Sequence, residues 1–129
     1  MDHRFAVVVI LLCVTYSVLG DVSSDIGYLS VKEARKSLAN DPSATADVDE
    51  DSGWLLYTLS DGDHLEIWTF PSAESPVYPA AIRQVIVETE DSFDIQLYIL
   101  CEASEQQCAQ LEKEYIEFNS EVIESASNR

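Results

Sequence analysis

The chain has 129 residues, of which 24 are acidic and 7 are basic, and its formal net charge at pH 7 is −17. This length is typical of one domain, and a hydrophobic content of 47% excludes a chain that is disordered throughout. The negative charge disfavours nucleic acid and anionic membrane surfaces as partners, because both would repel the protein.

The N-terminal segment has the three-part pattern of a secretory signal peptide. Arg4 and the amino group supply a positive start, residues 5–14 form an apolar run, and small residues precede Asp21. This pattern predicts export, cleavage after residue 20, and a mature chain that does not insert into a membrane. A retained anchor is the alternative, but a membrane span needs about 20 apolar residues and residues 15–17 end the run early.

A first helix is predicted from Val31 to Asn40. Ser30 can cap its N-terminus, and Glu33 completes a capping box. Apolar residues share one face of this helix: Val31, Ala34 and Leu38. Pro42 then ends the helix, because the residue before a proline avoids the helical conformation.

Four or five strands follow, separated by turn signals. The predicted strands are residues 44–49, 53–59, 64–70, 82–88 and 93–101. Asp61, Gly62 and Asp63 form a hairpin turn signal between two of them. Residues 71–80 contain three prolines and are excluded from the inside of a sheet. Apolar and polar residues alternate in the last strand, as in an antiparallel strand with one buried face.

A second helix is predicted from Glu105 to Ser125, with Ser104 as its N-terminal cap and Gln107 at the capping-box position. Its apolar residues share one face: Leu111, Tyr115, Phe118 and Val122. Such a stripe needs an apolar surface to cover, and the strands provide one. Glutamates occupy the rest of the helix as a solvated acidic side. Three of them are candidates to bind a partner: Glu114, Glu117 and Glu121.

Together these elements predict an α+β fold. We expect an antiparallel four- to five-stranded meander, with an N-terminal helix and a long C-terminal helix packed on the sheet and one sheet face covered. The single domain spans residues 29–125. Residues 21–28 are expected to be a flexible lead-in, and residues 126–129 a tail.

The two cysteines of the predicted mature chain favour a disulfide. Cys101 ends a predicted strand and Cys108 lies in the first turn of the next helix, so the short loop lets their Cα atoms approach. A redox role is less favoured, because the spacing is not C-x-x-C and the acidic surroundings would raise a thiol pKa. A metal site lacks partners, since His64 is the only histidine after residue 20.

Three further patterns carry only weak signals of chemistry. The acidic run from Asp47 to Asp51 begins like a calcium loop but lacks the glycine and the final glutamate that an EF-hand needs. His64 has no convincing nucleophile partner. Glu66 and Glu88 would form a carboxylate pair only if the strands brought them together. We therefore expect no catalytic residue, no metal and no cofactor.

Three aromatic residues have two interpretations. Trp68 and Phe70 share one strand face, and Tyr78 lies in the proline-rich connection. If this face is open, it forms a patch suited to a protein or a glycan. If the connection or a helix covers it, the aromatic residues form a second core, and this interpretation is favoured.

A series of short motifs in fixed order runs along the chain. The motifs are Trp68-Thr69-Phe70-Pro71, Pro76-Val77-Tyr78-Pro79-Ala80, Arg83, Leu100-Cys101, Cys108 and Phe118-Asn119. Over residues 28 to 120 this pattern resembles small exported proteobacterial proteins of uncharacterised function. The resemblance implies a Gram-negative periplasmic or secreted location and supports a Cys101–Cys108 bridge. It implies no activity.

The sequence therefore favours a non-enzymatic periplasmic binding or inhibitor module for a cationic protein partner. Opposite charge would raise the rate of association with such a partner, and salt would weaken it. An envelope assembly or housekeeping factor that uses the aromatic and proline-rich surface is the alternative. A small hydrolase is a third and less favoured interpretation.

Overall fold

The computed structural model describes residues 22–23 and 26–128 of the chain. The predicted signal peptide, residues 1–20, lies outside the described residues, so its cleavage stays a prediction. No helix within the described residues is long and apolar enough to cross a membrane.

The described residues form six strands and two helices. The strands are β1 (Val22–Ser23), β2 (Thr45–Val48), β3 (Leu55–Asp61), β4 (His64–Phe70), β5 (Ala80–Glu88) and β6 (Phe93–Cys101). The helices are α1 (Val31–Ala39) and α2 (Glu105–Ser127). The strands make one sheet in the order β1-β6-β5-β4-β3-β2, in which β1 is parallel to β6 and all other pairs are antiparallel. The predicted α+β fold, with an antiparallel meander and two flanking helices, is confirmed.

Both helices begin at the serine caps that the sequence predicts. The Ser30 hydroxyl accepts a hydrogen bond from the Glu33 amide at 3.1 Å, and the Ser104 hydroxyl accepts one from the Gln107 amide at 3.2 Å. Each bond satisfies an amide that has no partner inside its helix. Helix α2 continues to Ser127, so the expectation that the tail begins at residue 126 is wrong.

The two helices cover opposite faces of the sheet, because alternate residues of a strand point to opposite sides. One core packs beneath α1 and contains Val31, Ala34, Leu38, Tyr57, Trp68, Phe70 and Ala81. The other packs beneath α2 and contains Val77, Ala80, Ile82, Leu97, Ile99 and Leu111. The expectation that one face of the sheet would be covered is therefore wrong. The sheet lies between two helical layers.

Part of the segment expected to be a flexible lead-in, residues 21–28, lies within the described residues and contacts the fold. Its residues Val22 and Ser23 form β1, alongside β6. The Ile26 side chain is 2% exposed in the core beneath α1. Tyr28 packs edge-on against the Trp68 ring, with 5.6 Å between ring centroids. Ile26 and Tyr28 are therefore packed against the same core as α1.

Candidate functional site

Helix α2 faces the sheet with Leu111 and Asn119, so the predicted apolar stripe is only partly buried. Asn119 is 5% exposed, whereas its neighbour Phe118 is 55% exposed. The buried Gln84 Nε2 of β5 donates a hydrogen bond to Asn119 Oδ1 at 2.8 Å. One residue corresponds to about 100° around a helix, so this amide pair turns Phe118 away from the sheet. The expectation that Phe118 belongs to the buried stripe is wrong.

An acidic cleft of about 710 Å3 lies between the β5–β6 turn and the last turns of α2. Its carboxylates come from both elements: Glu88, Glu90, Asp91 and Glu121. None of its lining residues is basic. Phe93, Phe118 and Val122 supply apolar surface beside the carboxylates. The volume is in the range of ligand-binding clefts in proteins.

Hydrogen bonds within the β5–β6 turn hold its acidic tip in place. The Thr89 amide donates to the Ser92 carbonyl at 2.8 Å, and the Ser92 amide donates to the Thr89 hydroxyl at 3.0 Å. The two hydroxyl oxygens are 2.7 Å apart. Glu90 and Asp91 lie between these residues and are exposed. The turn therefore presents its carboxylates on an ordered backbone, which lowers the entropy lost when a partner binds.

A second depression, the aromatic groove, adjoins the acidic cleft and has a volume of about 470 Å3. Its apolar lining comes from Trp54, just before β3, and from β3, β4 and helix α2: Leu56, Ile67, Tyr115 and Phe118. Its charged lining residues are Asp49 and Glu114. Phe118 lines both depressions, so its ring joins them into one surface.

The Tyr115 phenol in this groove stays neutral at physiological pH. Burial raises its pKa above the ordinary value of 10.0, a hydrogen bond with the Thr69 side chain lowers it, and the nearby charge of Glu114 raises it again. Desolvation is the largest of these effects. The floor of the groove is therefore uncharged, and its negative charge comes from carboxylates at Asp49 and Glu114.

The three glutamates predicted to bind a partner are all exposed, but they do not share one site. Glu114 lines the aromatic groove and Glu121 lines the acidic cleft. Glu117 lines neither depression and borders a shallow surface with Ile116 and Lys113. The structure therefore places Glu114 and Glu121 beside Phe118 and leaves Glu117, their neighbour at helical spacing, outside both depressions.

The aromatic candidates on the other sheet face belong to the core. Trp68 is 3% exposed and Phe70 is 2% exposed, so the interpretation of an open patch at these two residues is wrong. Trp68 Nε1 and Arg83 Nε both donate to Glu66 Oε1, at 2.6 and 2.7 Å. Tyr78 alone of the three predicted aromatic residues is on the surface, with 41% exposure.

The weaker candidates for catalysis or metal binding do not converge. Glu66 pairs with Val85 across the β4–β5 ladder, and Val85 is three residues from Glu88, so the two glutamates lie on opposite sheet faces. His64 is exposed beside the β3–β4 turn. In the described part of the chain, no group of three or more histidine, cysteine, aspartate or glutamate side chains could hold a metal ion.

Cys101 and Cys108 lie at disulfide distance, with 5.7 Å between their Cα atoms. This confirms the predicted pairing within the described fold. The bond joins the end of β6 to the first turn of α2. It therefore fixes the point at which the helix leaves the sheet.

The residues that sequence reasoning missed are those of the β5–β6 turn and the neighbouring Phe93. The signal was the acidic run at Glu88, Glu90 and Asp91 in a predicted turn. Because α2 runs back across the sheet from the end of β6, its final turns come close to the start of that strand. No protein-family model, curated protein or solved structure matches this chain.

Proposed function

We propose that this protein is an exported, non-enzymatic module that binds a cationic protein partner through the acidic cleft and Phe118. One observation carries the proposal: four carboxylates share a cleft with an exposed aromatic ring, and none of the cleft's lining residues is basic. A partner segment with lysine or arginine side chains beside an apolar residue is complementary to both components.

Charge and the aromatic ring have different parts in this proposal. The net charge of −17 attracts a cationic partner at long range and raises the rate of encounter. Exposed aromatic side chains that become buried in an interface contribute much of its affinity. Phe118 therefore governs how long the complex lasts, and the carboxylates govern how quickly it forms.

The proposed exported location has two supports. The apolar run at residues 5–14 is typical of a signal peptide. The cysteine pair at disulfide distance suits an oxidising compartment. N-terminal sequencing of the protein recovered from the periplasm or medium is expected to begin at or near Asp21. Recovery from the membrane fraction with Met1 retained would contradict export with cleavage.

The alternative of an envelope factor with an aromatic binding surface has less support. It required Trp68 and Phe70 to be accessible, and both are buried. A hydrolase would require His64 to share a pocket with carboxylates, and the acidic cleft does not include it. Binding through the acidic cleft is therefore the function that the geometry supports best.

The test begins with affinity capture from an exported-protein extract and then measures binding of the recovered partner. The double variant Glu90→Lys/Glu121→Lys reverses two charges of the cleft. Glu121→Lys alone is compared with Glu112→Lys as its matched control, because Glu112 is exposed and lies nine residues before Glu121, on the opposite side of the same helix. Association and dissociation rates are measured at low and high salt for each variant.

We expect the double variant to slow association by about tenfold or more at low salt, with a smaller effect at high salt. Glu112→Lys should change the association rate much less. Phe118→Ala should weaken affinity by about 2 kcal/mol, close to thirtyfold, mainly through faster dissociation. Equal effects from Glu121→Lys and Glu112→Lys would show that the cleft does not recognise the partner.

A further inference from the structure

Three of the seven basic residues of the chain lie on one side of α1. They are Lys32, Arg35 and Lys36, whose spacing places them side by side on a helix. All three are exposed. The ion pair found among the described residues joins Arg83 to Glu66, and none of the three α1 cations takes part in it. A chain with 24 acidic residues thus leaves a cluster of cations unpaired within its described part.

These cations line a cleft of about 770 Å3, the basic cleft, which has an apolar and aromatic floor. The floor includes Leu55, Tyr57, Phe70 and Tyr78. Tyr57 and Phe70 belong to the core beneath α1, so this cleft lies on the opposite side of the sheet from α2 and the aromatic groove. Three positive charges therefore border a concave apolar surface.

The carboxylate in this cleft is already engaged. Glu102 Oε2 accepts a hydrogen bond from the Val31 amide at 3.1 Å, at the start of α1. Its negative charge is placed near the positive end of the helix dipole. Lys32, Arg35 and Lys36 are exposed and have no ion-pair partner among the described residues.

We propose that the basic cleft binds a small amphipathic anion: a carboxylate or phosphate group carried on an apolar chain or ring. The anionic group contacts the α1 cations, where the Arg35 guanidinium offers paired donors to a planar or tetrahedral anion. The apolar part lies against Leu55 and Tyr78, which keep accessible surface above the buried Tyr57 and Phe70. This site goes beyond the proposed function, since it has the opposite charge preference and lies on the other sheet face.

The charge of the whole protein determines that the ligand must have an apolar part. A net charge of −17 repels anions at long range, so three exposed cations alone hold an inorganic ion weakly. Burial of an apolar chain against the floor offsets that repulsion. The same long-range repulsion opposes an anionic bilayer, and a concave cleft of this volume suits a free molecule.

The test uses decanoate and decyl phosphate below their micelle-forming concentrations, with inorganic phosphate as the probe that lacks an apolar part. Binding is measured by calorimetry, and the site is mapped by the shifts of backbone amide resonances. Arg35→Glu/Lys36→Glu reverses charge in the cleft. Lys113→Glu, an exposed lysine on α2, is the matched control. Circular dichroism verifies that each variant folds.

We expect both decyl anions to shift the amides of α1 and of residues 55–57, and inorganic phosphate to shift neither. Arg35→Glu/Lys36→Glu should weaken decanoate binding by at least about tenfold, and Lys113→Glu by no more than about twofold. Tyr78→Ser should also weaken it, because the ring forms part of the floor. Shifts confined to the aromatic groove, or equal losses in the cleft variant and Lys113→Glu, would overturn the proposal.

Vesicles distinguish a free amphiphile from a lipid headgroup. The protein should not sediment with phosphatidylglycerol vesicles any more than with phosphatidylcholine vesicles. The proposal would be overturned in favour of a membrane surface by three results together. The protein would sediment selectively with the anionic vesicles, Arg35→Glu/Lys36→Glu would abolish this sedimentation, and decanoate would not bind.

Discussion

The buried amide pair between β5 and α2 should have a measurable and asymmetric effect on stability. Gln84 is 8% exposed and Asn119 is 5% exposed, and their hydrogen bond is 2.8 Å long. Asn119 Nδ2 is buried without a hydrogen-bond partner in the described part of the chain. When one of the two amides is removed, polar atoms of the other are left buried without a partner. The number of these atoms differs between the two substitutions.

Gln84→Met leaves both polar atoms of Asn119 buried without partners, and a buried polar group left unpaired costs about 1–3 kcal/mol. Asn119→Leu leaves Gln84 Nε2 without its acceptor, but it also removes the Nδ2 atom that already lacks a partner. We therefore expect Gln84→Met to lower the free energy of unfolding more than Asn119→Leu. The double variant replaces the whole pair with apolar side chains. Its loss in free energy of unfolding should be smaller than the sum of the losses in the two single variants, by about 1–3 kcal/mol.

Urea unfolding followed by tryptophan fluorescence at neutral pH measures these free energies, with unchanged slopes as the check on two-state behaviour. If the losses in the two single variants add up to the loss in the double variant within about 0.5 kcal/mol, the coupling between Gln84 and Asn119 is refuted. If α2 instead presented Phe118 to the sheet, Asn119→Leu would cost almost nothing and Phe118→Ala would cost about 3–5 kcal/mol. The two arrangements of the helix thus make opposite predictions.

Three further predictions follow from burial and chain connectivity. Phe118→Ala should change the free energy of unfolding by less than about 1 kcal/mol because the ring is exposed, whereas Phe70→Ala should cost about 3–5 kcal/mol; urea unfolding compares them. Replacing Cys101 and Cys108 together by serine should cost about 2–3 kcal/mol in thermal or urea unfolding, since the bond closes a short loop of the unfolded chain. The Tyr115 phenol should ionise above pH 10.0 in an ultraviolet absorbance titration. Because its pKa is raised by folding, its contribution to stability is present below that pH and is lost as the pH rises further.

The order of elements could be predicted because local signals marked each boundary. The bounds of β4 and β6, His64–Phe70 and Phe93–Cys101, agree with the prediction, since turn residues flank both strands. Both helices start at capping serines whose side chains accept the expected amide bonds. The cysteine pairing followed from the same boundaries, because a strand end and a helix start lay close in the chain.

The rotation of α2 could not be predicted, because it depends on a partner that is distant in sequence. Phe118 and Asn119 are adjacent, and either one completes a stripe with Leu111 and Tyr115 at helical spacing. Hydrophobicity favoured Phe118, but Gln84 on β5 places an amide where only a polar residue can satisfy it. A pattern within the helix contains no information about that contact.

The candidate binding surfaces could be predicted only in part from the sequence, for a similar reason. The glutamates of α2 were recognised as a solvated acidic side, and Glu121 does line the acidic cleft. Its other carboxylates come from a turn that approaches the helix only in the folded chain. The cations of α1 give no signal by themselves, because exposed lysine and arginine are ordinary on a helix and only the aromatic floor makes them a cleft.

Strand β2 bears on how this protein avoids aggregation. It lies at one edge of the described sheet, and all of its residues, Thr45–Val48, are exposed. An open strand edge can pair with the same edge of another molecule and extend the sheet between chains. Asp47 lies within the strand and Asp49, Glu50 and Asp51 follow it, so two such edges would bring like charges together. The acidic run that begins like a calcium loop thus opposes fibre formation between copies of this chain.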